Sequence, residues 1–144
     1  MLKFTCLRCA NCCFFSRVEE CPIVLEWEVN KLRTLAELKG LRDELVFERV
    51  AEGLYRWVIN GYCPFYDVER KACTIHSDKP LTCTMYPLLL NVKTLEISVS
   101  LSCKWVRKYF DELKDLGDEV PNIFPEEFKA LVTLLRELKY LRLI

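Results

Sequence analysis

Four cysteines within eight residues are the strongest chemical signal in this sequence. Cys6, Cys9, Cys12 and Cys13 form a C-x2-C-x2-C-C motif. A C-x-x-C turn brings two thiolates within reach of one metal ion, and this spacing suits zinc knuckles and iron–sulfur binding loops alike. Because adjacent side chains do not easily face the same way, we expect one of Cys12 and Cys13 to ligate. We expect the other to reach a second site, a partner thiol or the core.

A second group of cysteines is spread over the middle of the chain, at Cys63, Cys73, Cys83 and Cys103. We expect the cysteine-rich segment 1–21 to fold back onto residues 61–103, so that sulfurs from both segments share a metal site, because ligands of one centre must converge. The alternative is that these cysteines are small buried hydrophobes. Their density near the N-terminus favours metal ligation.

Composition limits the class of protein and its compartment. The chain has 144 residues with 21 basic and 21 acidic side chains, so its formal net charge is zero, and nucleic acid is not an expected partner. The sequence shows no apolar signal region and no stretch long enough to span a bilayer, which predicts a cytoplasmic protein without a membrane partner. A reducing cytosol favours metal binding over disulfides for the nine cysteines. The absence of Gln, with 15 Glu and four Gly, is typical of thermophiles.

Hydrophobic periodicity predicts the elements that position these cysteines. We expect three main helices, over residues 23–39, 102–116 and from Pro125 onward, with a further short helix over 41–52. Strands are predicted at 54–59, 88–92 and 95–101, and a short hairpin around the charged loop 67–71. The predicted fold class is α+β, a single domain over residues 1–144 in which a small cysteine-rich β region holds the metal site.

The residues around the later cysteines carry a family resemblance. They read Cys63-Pro64-Phe65, Cys73-Thr74-Ile75-His76, Lys79-Pro80-Leu81-Thr82-Cys83 and Tyr86-Pro87. With the N-terminal motif, this pattern over residues 4–103 resembles the CxxCxxCC zinc- or iron-chelating domain, also called the YkgJ-type cysteine-cluster family. The resemblance implies eight metal ligands: Cys6, Cys9, Cys12, Cys13, Cys63, Cys73, Cys83 and Cys103. Residues 104–144 would be a C-terminal helical extension.

Four residues stand outside the family pattern or vary within it. Cys21 is extra, and we expect a buried structural thiol or an auxiliary ligand. Thr84 and Lys79 replace arginines common in the family, and lysine does not reproduce a bidentate arginine contact. His76 has the C-x-x-H spacing of a zinc ligand, but the family accepts Tyr there, so we favour a hydrogen-bonding or packing role.

Three functions are compatible with this ligand set. The uneven spacing lacks a second close C-x2-C pair, which favours a [4Fe–4S] cluster used in electron transfer or cluster-assisted group transfer. The similar cysteine arrangement of flagellin lysine-N-methylases, which carry such a cluster, supports this choice and leaves a methylase-like enzyme as one alternative. A zinc-stabilised module that binds another protein is the other, because all-sulfur sites accept either metal. A protein partner is expected, and the sequence identifies no small-molecule substrate.

Overall fold

The fold is described from a computed structural model, over residues 2–114 and 117–144. The chain forms two compact units. We call Cys13–Pro80 the central unit, and the combination of Met1–Cys12 with Leu81–Ile144 the terminal unit. The mixed α+β class is confirmed. In the described part of the chain, no helix is both long enough and apolar enough to cross a membrane.

A three-stranded antiparallel sheet and one long helix form the body of the central unit. Strands β2 (Ile23–Leu25), β3 (Val46–Ala51) and β4 (Leu54–Val58) pair in the order β2-β4-β3, and helix α1 is Glu26–Leu38. The helix buries Val29, Leu32 and Ala36 in the same core as Trp57. Trp57 lies on the central strand, so this core fixes the sheet against the helix.

Two sequence predictions in this unit are wrong. Residues 23–25 begin the predicted first helix but form β2, paired with one edge of β4. Residues 46–51 lie in the predicted short helix but form β3 on the other edge of β4, where Phe47 faces Trp57 across the strands. Both segments become strands because a central strand offers hydrogen bonds on two edges, a tertiary effect that overrides local propensity.

Short strand pairs carry the cysteines of the central unit. Strand β1 (Phe14–Phe15) pairs with β5 (Gly61–Tyr62), and β6 (Tyr66–Asp67) pairs with β7 (Ala72–Cys73). The second pair is the predicted hairpin, which is confirmed. Its turn is closed by the Asp67 carboxylate, which accepts the backbone N–H groups of Glu69 and Arg70.

The terminal unit is mostly helical. Helices α2 (Leu81–Met85) and α6 (Pro125–Tyr140) pack together, and the hairpin of β8 (Leu88–Leu90) and β9 (Ile97–Val99) lies against α6. The predicted last helix and the predicted pair of strands are thus confirmed. The buried face of α6 consists of Ala130, Leu131, Leu134 and Leu138.

The predicted helix over 102–116 is divided in the structure. It consists of α3 (Lys104–Lys108) and α4 (Phe110–Leu113), separated at Tyr109, and α5 (Val120–Ile123) follows. Residues 115 and 116 of that prediction lie outside the described residues. Trp105 and Val106 of α3 are buried, which fixes the start of this helix next to Cys103.

Candidate metal centre

The first C-x2-C motif forms a tight turn in the N-terminal arm, which we define as residues 2–12. Arg8 and Ala10 have left-handed backbone conformations, with φ of 54° and 68°. The backbone N–H of Arg8 donates to Cys6 Sγ at 3.4 Å. Amide hydrogen bonds to sulfur stabilise thiolate ligands, so the turn has a backbone geometry suited to holding a metal through Cys6 and Cys9.

Contacts within the terminal unit hold the arm beside the start of α3. The Asn11 side-chain amide donates to the Ser102 carbonyl at 2.6 Å, and the Phe4 N–H donates to the Ile123 carbonyl at 2.9 Å. The Phe4 ring packs edge-on against Trp105, with ring centroids 5.2 Å apart. Residues separated by about a hundred positions in the sequence are therefore joined at one place.

Cys103 lies at this junction, directly before α3, and is 5% exposed. Burial raises the pKa of its thiol, and negative charge on Cys9 and Cys6 acts in the same direction. The N–H groups of Val106 and Trp105 act in the opposite direction. Cys6 and Cys9 are therefore close enough to Cys103 to change the energy of its charge.

The remaining cysteine of the arm, Cys12, lies within electrostatic range of Tyr86, as do Cys9 and Cys103. Burial raises the pKa of the Tyr86 phenol to about 12, and the thiolates of Cys103, Cys12 and Cys9 add to the rise. We call Cys6, Cys9, Cys12 and Cys103 the arm cysteine group, since each interacts with Tyr86, with Cys103 or with both. Cys83, half-buried on α2, belongs to the same unit.

The other predicted ligands, Cys13, Cys63 and Cys73, belong to the central unit, and we call them the central cysteine group. The Cys63 N–H donates to the Cys13 carbonyl at 2.7 Å, next to the β1–β5 pair. The thiols of Cys13 and Cys73 are hydrogen-bonded to each other. Adjacent Cys12 and Cys13 thus have different neighbours, because the boundary between the two units falls between them.

The environment of Cys73 favours a thiolate. The hydrogen bond with Cys13, the N–H of Ile75 and the charge of Lys79 together lower its pKa from 9.0 to about 6, although burial opposes them. A thiolate at neutral pH binds a metal without first losing a proton. Sequence reasoning singles out Lys79 only as the replacement of a family arginine, and it gives no signal for the Ile75 amide.

Two further candidates, Cys21 and His76, belong to the central unit, where Cys21 shares a buried core with Cys63. Cys21 is 3% exposed in the central core, where its sulfur donates to the Ile59 carbonyl at 3.2 Å and accepts the Ile59 N–H at 3.4 Å. This is the arrangement of a structural thiol. His76 is exposed, and its Nδ1 lies 3.4 Å from Lys79 Nζ.

The donor chemistry of the arm cysteine group fits a thiophilic metal. Four sulfurs are the number that a structural zinc ion or a [4Fe–4S] cluster takes. Within residues 2–114 and 117–144, no three Cys, His, Asp or Glu side chains converge closely enough to hold a metal ion as they stand. The assignment of all eight predicted cysteines as ligands therefore stays a prediction.

Comparison with known proteins gives one result. The model of the CxxCxxCC family, described as a zinc- or iron-chelating domain, matches residues 5–108. This range agrees with the resemblance predicted from the sequence for residues 4–103. No curated protein and no solved structure matches the chain.

Proposed function

We propose, since this chain belongs to the CxxCxxCC family of zinc- or iron-chelating domains, that it carries a [4Fe–4S] cluster and transfers electrons. Chelation of zinc or iron is the activity common to the family. The choice of an iron–sulfur cluster and of electron transfer goes further and is our proposal. In it, the arm cysteine group holds the cluster.

The observation that carries this proposal is the position of the arm beside Cys103. The Asn11 amide donates to the Ser102 carbonyl at 2.6 Å and the Phe4 ring packs on Trp105, so contacts on both sides of Cys103 join it to an arm about ninety residues earlier in the sequence. Ligands drawn from distant segments are typical of a buried cluster, whereas zinc ribbons generally use two close C-x2-C pairs. Here the arm contributes Cys6, Cys9 and Cys12, and the residue directly before α3 contributes Cys103.

The surroundings of the group suit a buried redox centre. When bound, a [4Fe–4S] cluster supplies one-electron chemistry, and burial and hydrogen bonds to its sulfurs set the reduction potential. Phe4, Trp105 and Phe124 pack together at the same place, with ring centroids 5.2–5.7 Å apart. These rings would limit the access of water to the cluster and so tune its potential.

A protein partner is part of the proposal. An electron carrier must exchange electrons with another redox centre, and the described chain offers no second cofactor-binding motif of known type. We therefore propose another redox protein as the partner, in a reducing cytoplasm where the thiols persist.

The test is metal and sulfide analysis of protein purified without oxygen. We expect about four iron atoms and four acid-labile sulfides per chain, with a brown colour that bleaches on reduction. Replacing Cys9 with Ser should remove the iron, whereas replacing the core residue Cys21 with Ser should not. Stoichiometric zinc without sulfide in the wild-type protein would overturn the cluster and support the zinc-stabilised binding module instead. A cluster that never changes oxidation state would favour the methylase-like alternative.

A further inference from the structure

The Tyr86 hydroxyl is an unusual feature of the terminal unit. Its oxygen is buried, and no atom of the described residues meets hydrogen-bond geometry with it. The Ser100 side chain is a polar neighbour that lowers the pKa of the phenol against the effect of burial, but the two groups fall short of hydrogen-bond geometry. A buried hydroxyl is costly without a partner, so its position calls for an acceptor.

The sulfurs of the arm cysteine group can also accept a hydrogen bond. Charge on Cys103, Cys12 and Cys9 raises the pKa of the Tyr86 phenol, so these three side chains lie within electrostatic range of it. These are three of the four members of the arm cysteine group. A tyrosine carries its proton at neutral pH and can therefore donate, and a metal-bound thiolate keeps lone pairs that can accept.

The backbone around Tyr86 fixes the ring in this place. Tyr86 follows α2 directly, and the carbonyl of the next residue, Pro87, accepts the N–H of Ser100 at 2.8 Å. This bond continues the β8–β9 ladder toward Tyr86. The turn that carries Tyr86 is thus joined to the hairpin by a backbone hydrogen bond of the adjacent residue.

We infer that Tyr86 is a positioning residue of the metal centre, and that its hydroxyl donates a hydrogen bond to a metal-bound sulfur of the arm cysteine group. This inference rests on the proposed function, since it assumes that these cysteines bind metal. It does not depend on which metal is bound, because thiolates of a zinc site and of a cluster both accept such bonds. Outer partners of this kind raise metal affinity and, for a cluster, the reduction potential.

The test compares Tyr86→Phe with Tyr140→Phe. Both variants lose one phenolic oxygen from the terminal unit, but Tyr140 is 84% exposed on α6. In metal-free, reduced protein titrated with Zn²⁺ against a competing chelator, we expect Tyr86→Phe to weaken binding by about tenfold and Tyr140→Phe to leave it unchanged. After reconstitution with iron and sulfide, Tyr86→Phe should show a lower midpoint potential, because the lost donor favoured the reduced, more negative cluster.

Equal Zn²⁺ affinity and equal potential in the two variants would overturn the inference while leaving the proposed function intact. Wild-type protein that binds neither zinc nor iron would overturn both. If Tyr86→Phe does not fold, Tyr86→3-fluorotyrosine keeps the shape and strengthens the donor. It should then raise the potential, and an unchanged potential with this residue would contradict the inference.

Discussion

At the scale of single residues, the Cys13–Cys73 pair is where charge and hydrogen bonding most clearly prepare a thiolate. The pKa of Cys73 is lowered to about 6 chiefly by the Cys13 thiol, with help from the Ile75 N–H and Lys79. Because the two thiols share a hydrogen bond, one proton leaves the pair as a unit. The Cys13–Cys73 pair therefore offers a thiolate at neutral pH.

The lowered pKa of Cys73 predicts that its alkylation rate and the free energy of unfolding depend on pH in metal-free protein. Alkylation of Cys73 by iodoacetamide should rise with a midpoint near pH 6 rather than 9.0, as followed by mass spectrometry. Between these values the native state binds fewer protons than the unfolded state, so the free energy of unfolding should increase as pH rises from 6 toward 9 and be lost as pH falls through 6. Cys13→Ala should move the alkylation midpoint upward; an unchanged midpoint would contradict the role of the hydrogen bond.

Cys21 has a different role from the predicted ligands, and stability measurements should separate them. Cys21→Ala removes the partner of both the N–H and the carbonyl of Ile59. We expect it to lower the free energy of unfolding of metal-free protein by about 1–3 kcal/mol, measured by urea denaturation. Cys21→Ser keeps a donor and an acceptor and should cost less.

Melting temperatures of metal-loaded protein should separate the ligands from Cys21. Cys9→Ser and Cys103→Ser should abolish the rise in melting temperature that metal produces, because they remove members of the arm cysteine group, whereas Cys21→Ser should retain it. Equal losses at all three positions would remove the distinction between ligand and core thiol.

At the scale of elements, the start of α1 depends on one buried carboxylate. Glu28 is 3% exposed, and its Oε1 accepts the N–H of Leu25 at 2.9 Å. This bond satisfies a backbone donor at the point where β2 ends and the helix begins. The residue therefore fixes where the chain changes from strand to helix.

Loss of this cap should destabilise the protein without changing metal content. We expect Glu28→Ala to lower the free energy of unfolding by about 1–2 kcal/mol, measured by urea denaturation. Glu26→Ala is the matched control, since Glu26 is exposed in the same first turn. A similar loss in both variants would show that general helix propensity, and not the Leu25 hydrogen bond, is responsible.

The arm turn gives a second prediction at this scale. Ala10 has φ of 68°, a conformation that costs a residue with a Cβ about 1–2 kcal/mol. Ala10→Gly should preorganise the turn and tighten Zn²⁺ binding, whereas Ala10→Val should weaken it. The control is Leu7→Val, an exposed position in the same arm without a positive φ. Titration with a competing chelator measures all three, and an Ala10→Val variant that binds like Leu7→Val would contradict the prediction.

At the scale of the whole molecule, metal binding should be linked to folding of the arm. Hydrogen bonds of Phe4 and Asn11 hold the arm to the rest of the terminal unit. A metal bound by arm thiolates and Cys103 would add a strong link across the same junction. We expect metal loading to slow hydrogen exchange of the arm amides and to raise the melting temperature. Exchange in the arm that is equally fast with and without metal would contradict this.

The sequence by itself determined the family, the α+β class and the eight cysteines that are predicted to bind metal. These features depend on local signals: a dense C-x2-C-x2-C-C motif, a hairpin marked by a charged loop, and the helical periodicity of residues after Pro125. Each signal is contained within a short window, so no knowledge of distant contacts is needed to find it.

Only the tertiary structure decided which residues act together. Residues 46–51 are a strand because β4 offers them a pairing edge. Likewise, nothing local separates Cys12 from Cys13 or brings Tyr86 to the arm cysteines. Those groupings depend on contacts between residues that are far apart in the sequence. Packing of the folded chain creates these contacts, and no local sequence pattern encodes them.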